Sequence, residues 1–136
     1  MKPQVVAELS RAEKALQAAQ LLHDNHLFED AISRSYYAVL HAAKAALLTQ
    51  ETIAESHAGV RRIFGQKLVR PGLIEKEWAA ILSSEQDQRT IADYDALATW
   101  DEDAAAHLIA DARAFVQRIR EYLATVDSSG DSSLNG

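Results

Sequence analysis

Five side chains that bind anions or move protons recur along one stretch of the chain at steps of three or four residues. They are Asp30, Arg34, Tyr37, His41 and Lys44. Because an α-helix has 3.6 residues per turn, this spacing places all five on one helix face. An arginine gives permanently charged, bidentate contact to phosphate, and a histidine transfers protons near neutral pH. One interpretation is therefore a phosphate site with Arg34 and His41 as its reactive pair.

The same stripe also has a purely structural interpretation. Asp30 and Arg34 are four residues apart, the spacing of an ion pair along one helix, which contributes only a few tenths of a kcal/mol. Tyr37 and His41 would then be hydrogen-bonded inside the protein, since polar groups on an apolar helix must be paired or reach water. The spacing alone leaves both interpretations open.

A basic segment follows this stripe. From His57 to Gly72 the chain carries Arg61, Arg62, Lys67 and Arg70 and no acidic residue, although the formal net charge of the whole chain is -6. Such a face is usually just solvated, and it would equally fit an acidic partner. If it borders the Arg34/His41 site, it would attract an RNA backbone.

Further along, Arg89 and Asp93 are again four residues apart and predict a structural clamp, with the Tyr94 hydroxyl reaching another element from a helix end. No metal or cofactor is predicted. The chain has Cys 0, no histidine follows a glutamate by three residues, and His23 and His26 flank a turn without an obvious third ligand.

The elements that must position these residues are predicted to be helices. Alanine is abundant, Gly 5 and Pro 2 are few, and no strand-like alternation is present. Five helices are expected, over Pro3 to Leu22, Leu27 to Leu48, from Ser56 to the Arg70-Pro71-Gly72 break, Glu75 to Tyr94, and Asp101 to Val126. They predict one all-α domain, an up-and-down antiparallel bundle over 1–126, followed by a disordered tail at 127–136.

Details of this prediction concern helix ends and the core. Asp24 or Asn25 is expected to cap the second helix and Ser56 the third. In the fourth helix Trp78, Ile81, Leu82 and Ile91 are expected in the core, while the polar stretch from Ser83 to Arg89 is expected to fray or kink. The chain has no apolar run long enough to span a membrane and no signal-peptide core, so a cytoplasmic location is expected.

Three segments resemble the HEPN domain family of prokaryotes. The segment from Ser33 to Leu48 reads SRSYYAVLHAAKAALL and is similar to the family's signature helix. Ser56 to Val60 (SHAGV) with Phe64, and then Arg89 to Tyr94 (RTIADY), match later motifs in order and spacing. The resemblance covers about Val5 to Leu123, essentially the whole predicted bundle.

The resemblance implies a helical bundle that usually dimerises and is commonly encoded beside a minimal nucleotidyltransferase, in some cases as toxin and antitoxin. Active members are metal-independent endoribonucleases that use an arginine followed four to six residues later by a histidine. Arg34 and His41 fit the outer limit of that spacing. Many active members carry this motif late in the domain, whereas here no histidine follows His107.

On this basis Arg34 is expected to contact the scissile phosphate and His41 to act as general acid or base. Tyr37, Lys44, Arg61 and Arg62 are expected to hold RNA, and Asp30, Arg89, Asp93 and Tyr94 to be structural. The expected partners are a second copy of the chain, a nucleotidyltransferase, and RNA or a nucleotide. The alternative is a non-catalytic module that binds a nucleotide or protein partner, and a weaker one is a structural dimeric subunit whose polar stripe fixes helix register.

Overall fold

A computed structural model describes the backbone of residues 1–135 and the side chains of residues 1–127. Over these residues the chain is all-α, which confirms the predicted fold class. The helices are α1 (Pro3–Asp24), α2 (Phe28–Leu48), α3 (His57–Phe64), which continues into a π-helical turn over Gly65–Val69, α4 (Lys76–Tyr94) and α5 (Glu102–Asn135). Within the described range, no helix combines the length and apolar character needed to cross a membrane. Helix α5 extends to Asn135, past its predicted end at Val126 and over most of the segment predicted to be a disordered tail. The disorder of that tail stays a prediction.

The turn between α1 and α2 differs from the prediction. Neither Asp24 nor Asn25 caps α2, whose N-cap is Leu27 and has no side-chain cap. The Asn25 amide instead donates to the Leu21 carbonyl oxygen at 2.8 Å and closes the end of α1. His26 makes the reversal with a φ of 62°, so the turn is tight and α1 and α2 form an antiparallel hairpin.

The predicted starts of α3 and α5 and the predicted break at Arg70-Pro71-Gly72 are confirmed. The Ser56 hydroxyl accepts from the Gly59 backbone N–H at 2.9 Å and caps α3. Gly72 takes a φ of +82° in the predicted break, a conformation that side chains rarely adopt. The Asp101 carboxylate accepts from the Ala104 N–H at 2.7 Å at the start of α5.

Helix α2 is the centre of the bundle and packs against α1, α3, α4 and α5. Its buried alanines, Ala38, Ala42, Ala43, Ala45 and Ala46, let these neighbours approach closely. In α4, Leu82 is buried as predicted, and Trp78 and Ile81 pack against the core while partly exposed. The prediction for Ile91 is wrong: its side chain is 40% exposed, because it lies at the far end of α4 beyond the main core.

A buried polar cluster crosses the bundle where the sequence predicts fraying. Helix α4 is continuous from Ser83 to Arg89, and Glu85 within it is fully buried. The Ser35 hydroxyl lies 3.0 Å from Glu85 Oε2 and 3.1 Å from the Leu108 carbonyl oxygen. This cluster joins α2, α4 and α5, and its pairing stabilises the stretch that polarity alone predicts to be loose.

Candidate active site

An open groove runs between α1 and α2 and has a volume of about 470 Å³. It is lined by Arg34, Tyr37 and His41 of α2 and by Arg11, Lys14, Ala15 and Ala18 of α1. The phosphate-site interpretation requires Arg34 and His41 to share a solvent-reachable face, and they do. The small side chains of Ala15 and Ala18 leave the room between the two helices in which the groove forms.

His41 is held in this groove by an acidic residue of the neighbouring helix. Its Nδ1 lies 2.7 Å from Glu8 Oε2, and both side chains are mostly shielded, at 18% and 26% exposed. A carboxylate at Nδ1 favours the tautomer that carries its proton there, which leaves Nε2 as the nitrogen available to the groove. This is the arrangement that orients a general base.

The groove is cationic. Arg11, Lys14 and Arg34 are three basic side chains along its walls, and each is exposed. Arg34 also lies over the Tyr37 ring, with Cζ 6.0 Å from the ring centroid. Guanidinium and ammonium groups that line one groove attract phosphate, and arginine adds planar bidentate contact. The site can therefore hold a polyanion next to the His41 imidazole.

The structural interpretation of the stripe is wrong for its first pair. Asp30 and Arg34 are both exposed, and no ion pair joins them among the described side chains. Arg34 is thus not neutralised by the acid predicted for it. For His41 the structure adds a partner, Glu8, that holds the ring while leaving it partly exposed to the groove.

The predicted clamp between Arg89 and Asp93 is confirmed and has a second role. Arg89 Nε lies 2.8 Å from Asp93 Oδ2, and its Nη2 donates to the Tyr37 hydroxyl at 3.1 Å. The guanidinium also lies over two rings, 5.5 Å from the Tyr37 centroid and 5.7 Å from that of Tyr36. Through these contacts α4 fixes the orientation of the phenol that borders the groove.

His57 of α3 is a candidate site residue that the helical spacing on α2 does not predict. Its Nδ1 lies 2.6 Å from the Tyr36 hydroxyl, and the two rings stack with centroids 5.4 Å apart. Burial, with Arg89 and Lys44 nearby, lowers the pKa of His57, and burial raises the pKa of Tyr36 to about 12. The tyrosine therefore donates to a neutral imidazole. The three matched sequence segments supply the α2 tyrosines, His57 and Arg89, and these meet beside the groove.

The remaining predicted site residues lie elsewhere. Lys44 lines a separate, smaller cavity at the end of α2. Arg61 and Arg62 line a shallow surface depression with Ser83 and Gln86, and Arg61 pairs with Asp87 at 3.1 Å. None of these three residues lines the groove of Arg34 and His41, so their contact with RNA stays a prediction. Tyr94 is 78% exposed, and among the described contacts its hydroxyl reaches no other element.

Glu8, Arg11 and Lys14 were also missed, although the sequence carries a signal for them. They follow one another at steps of three residues on α1 and so share one face. Glu8 and His41 are almost equally far along the chain from the turn at Asn25. In an antiparallel hairpin such positions lie side by side, so the turn position alone predicts that these two residues meet.

No group of three or more histidine, aspartate and glutamate side chains that could hold a metal ion is present in the part of the chain that the structure describes. The expectation of a site without metal or cofactor stays a prediction.

Comparisons with known proteins agree with these motifs. The family model of the HEPN domain matches residues 6–122. "Putative toxin MJ0605" of Methanocaldococcus jannaschii is 37% identical over 90% of this chain and 91% of its own length. "UPF0332 protein glr0978" of Gloeobacter violaceus is 37% identical over 91% of this chain and 99% of its own length. "Putative toxin MJ0142" of M. jannaschii is 29% identical over 85% of this chain and 78% of its own length.

Proposed function

The chain belongs to the HEPN domain family, and from this premise we propose that it is a metal-independent endoribonuclease that acts as a toxin. The observation that carries the proposal is the hydrogen-bonded pair of Glu8 and His41 at the edge of a groove lined by Arg11, Lys14 and Arg34. A positioned imidazole beside a cationic phosphate site is the minimum that RNA transesterification requires.

In the proposed reaction, the groove binds the RNA backbone with the scissile phosphate against Arg34. His41 Nε2 removes the proton from the ribose 2′-hydroxyl, and O2′ attacks the adjacent phosphorus. The bond from phosphorus to O5′ breaks, and the protonated His41 returns the proton to O5′. The products are a 2′,3′-cyclic phosphate and a 5′-hydroxyl, so the RNA supplies every atom of the reaction and the enzyme ends unchanged.

Each neighbouring residue has a role in this scheme. Glu8 is a positioning residue that stabilises the imidazolium formed when His41 takes the proton. Arg34 offsets the negative charge that develops on the phosphate oxygens in the transition state. Arg11 and Lys14 bind flanking phosphates, and Tyr37, held by Arg89, stacks on or bonds to the strand.

The biological role is inferred from relatives. Two relatives from M. jannaschii carry toxin names and align with at least 85% of this chain. A ribonuclease of this kind needs a neutralising partner, and we infer that a nucleotidyltransferase supplies it and that the active form is a homodimer.

The test is to incubate the purified protein with RNA in EDTA and to identify the ends of any fragments. The proposal expects 5′-hydroxyl ends, which a kinase phosphorylates directly, and 2′,3′-cyclic phosphates, which mass spectrometry resolves. Fragments with 3′-hydroxyl and 5′-phosphate ends would contradict the mechanism. RNA that is bound and left intact would instead favour the non-catalytic binding module.

A further inference from the structure

A second cavity begins where the phosphate groove ends. It has a volume of about 210 Å³ and lies at the C-terminal end of α2 and the connection that follows. Its lining includes Glu8, Lys44, Leu47, Leu48, Ile53 and Glu55. It is half the size of the groove and combines an apolar wall with a few charged groups, which is the composition of a small-ligand site.

The cavity and the groove are joined by two residues. Glu8 lines the cavity and also bonds His41, which lines the groove, at 2.7 Å. Lys44 follows His41 by three residues on α2 and lines the cavity wall. A ligand whose phosphate lies against Arg34 and His41 therefore has this cavity beside it.

We propose that this cavity binds the guanine base of the nucleotide whose 2′-hydroxyl His41 deprotonates, so that the protein cuts RNA on the 3′ side of guanosine. The inference rests on the proposed ribonuclease function. The cavity adjoins the Glu8–His41 pair, so a nucleotide whose ribose 2′-oxygen lies at His41 has room for its base there.

The polar groups of the lining select the base. The carboxylates of Glu8 and Glu55 only accept hydrogen bonds, whereas the ammonium of Lys44 only donates them. Guanine carries the N1–H and N2–H donors that carboxylates accept, together with the O6 and N7 acceptors that lysine reads. Uracil would offer the two carboxylates a single N–H donor, and adenine and cytosine would each offer one amino group. Guanine satisfies the most groups.

The apolar part of the lining suits the faces of a base. Leu47 is buried and Leu48 is partly buried, so together they form a fixed wall. Ile53, in the connection after α2, also lines the cavity, and its apolar side chain is 78% exposed. A flat base inserted between these side chains would cover apolar surface that water now contacts.

Binding of free nucleotides tests the cavity without requiring catalysis. Guanosine 3′-monophosphate and the three other nucleoside 3′-monophosphates are titrated into the intact protein by calorimetry. We expect the guanosine compound to bind at least tenfold more tightly, and Lys44→Met to remove most of that difference. Lys76→Met, at an exposed position of α4, is the matched control and should leave the preference for the guanosine compound unchanged. Equal binding of all four nucleotides, or loss of the guanosine preference in both variants, would overturn the proposal.

Cleavage mapping separates this proposal from the proposed function. Using RNA of mixed sequence, we expect cuts after guanosine to exceed those after other bases by about tenfold or more, the discrimination that one good base contact supplies. Lys44→Met and Glu55→Gln should flatten this preference. Cutting without base preference would refute the guanine site and leave the ribonuclease intact. Guanine-selective binding of nucleotides by a protein that cuts no RNA would refute the ribonuclease and leave the guanine site intact.

Discussion

Glu8 Oε2 and His41 Nδ1 lie 2.7 Å apart, on the two helices of one antiparallel hairpin. The pair is set by the backbone, because the tight turn at His26 fixes the register of α1 against α2. It places a carboxylate behind an imidazole at the edge of a cationic groove.

Replacing the carboxylate should weaken catalysis while the fold is kept. We expect Glu8→Gln to slow RNA cleavage by about 10²–10⁴-fold, because an amide orients the imidazole less strongly and does not stabilise the imidazolium. The rate is measured on a fluorescent RNA, with thermal unfolding as the check on folding. Glu13→Gln is the matched control on the same helix, where Glu13 pairs with Arg120 away from the groove, and it should keep the wild-type rate. Equal slowing in both variants would remove the special role of Glu8.

The cationic wall should set the affinity for RNA and its dependence on salt. Arg11→Gln and Lys14→Gln should each weaken binding and reduce the slope of log K against log salt by about 0.7 for single-stranded RNA, the value for one lost phosphate contact. Binding is measured by fluorescence anisotropy with His41→Ala, so that the RNA stays intact. Lys76→Gln is the control and should leave the slope as it is. An unchanged slope in both groove variants would place the RNA elsewhere.

Arg89 should support both stability and the groove. We expect Arg89→Lys to cost about 1–3 kcal/mol of unfolding free energy, because lysine cannot keep the pair with Asp93, the hydrogen bond to Tyr37 and the contact with both rings together. Urea unfolding measures the loss. Arg62→Lys, at an exposed position, should change it by less than about 0.5 kcal/mol. A wild-type midpoint for Arg89→Lys would show that these contacts contribute little.

Glu85 should make stability depend on pH. Burial raises the pKa of this carboxyl from 4.5 to about 8, against the opposing effect of Ser35. The hydrogen bonds of Glu85 fit a protonated carboxyl. The Ser35 hydroxyl has one proton but faces two oxygen atoms, Glu85 Oε2 and the Leu108 carbonyl oxygen. If Ser35 donates to the carbonyl, a protonated Glu85 can donate to Ser35. The Glu85 Oε1 atom is buried without a partner, which would be costly for a charged group.

The sign of the effect follows from the raised pKa. Between these two pKa values the folded state binds a proton that the unfolded state has released. The contribution of Glu85 to stability is therefore largest below pH 4.5, falls as pH rises to about 8 and is constant above it. Relative to Glu85→Gln, which is neutral throughout, the wild type should lose about 5 kcal/mol across this window. Urea unfolding at several pH values measures both proteins. Parallel curves would show that Glu85 is not a buried neutral acid.

The sequence predicts the helices well because helix signals are local. The cap at Ser56, the break at Gly72 and the acidic start of α5 all act within a few residues of the chain, and each is found where expected. The α1–α2 turn is predicted less well from its residues. Its residues favour capping by Asp24 or Asn25, but Asn25 closes the preceding helix and leaves the reversal to His26.

Only the part of the site that lies on one helix can be predicted from the sequence directly. Arg34, Tyr37 and His41 lie on one helix, so their common face follows from helical periodicity. Glu8 follows from the register of the α1–α2 hairpin, whereas His57 comes from α3 and only tertiary packing brings it to α2. The burial of Glu85 depends on α2 and α5 closing over α4, which the polarity of its own segment opposes.

We propose that His41 and Arg34 cut RNA in the groove between α1 and α2. The most direct measurement is the single-turnover cleavage rate in EDTA of the wild type, His41→Ala and Arg34→Ala, with His107→Ala as the control at an exposed histidine. We expect losses of about 10²–10⁴-fold for His41→Ala and about 10²–10³-fold for Arg34→Ala, with the control at the wild-type rate. Equal rates in all four proteins would contradict this proposal.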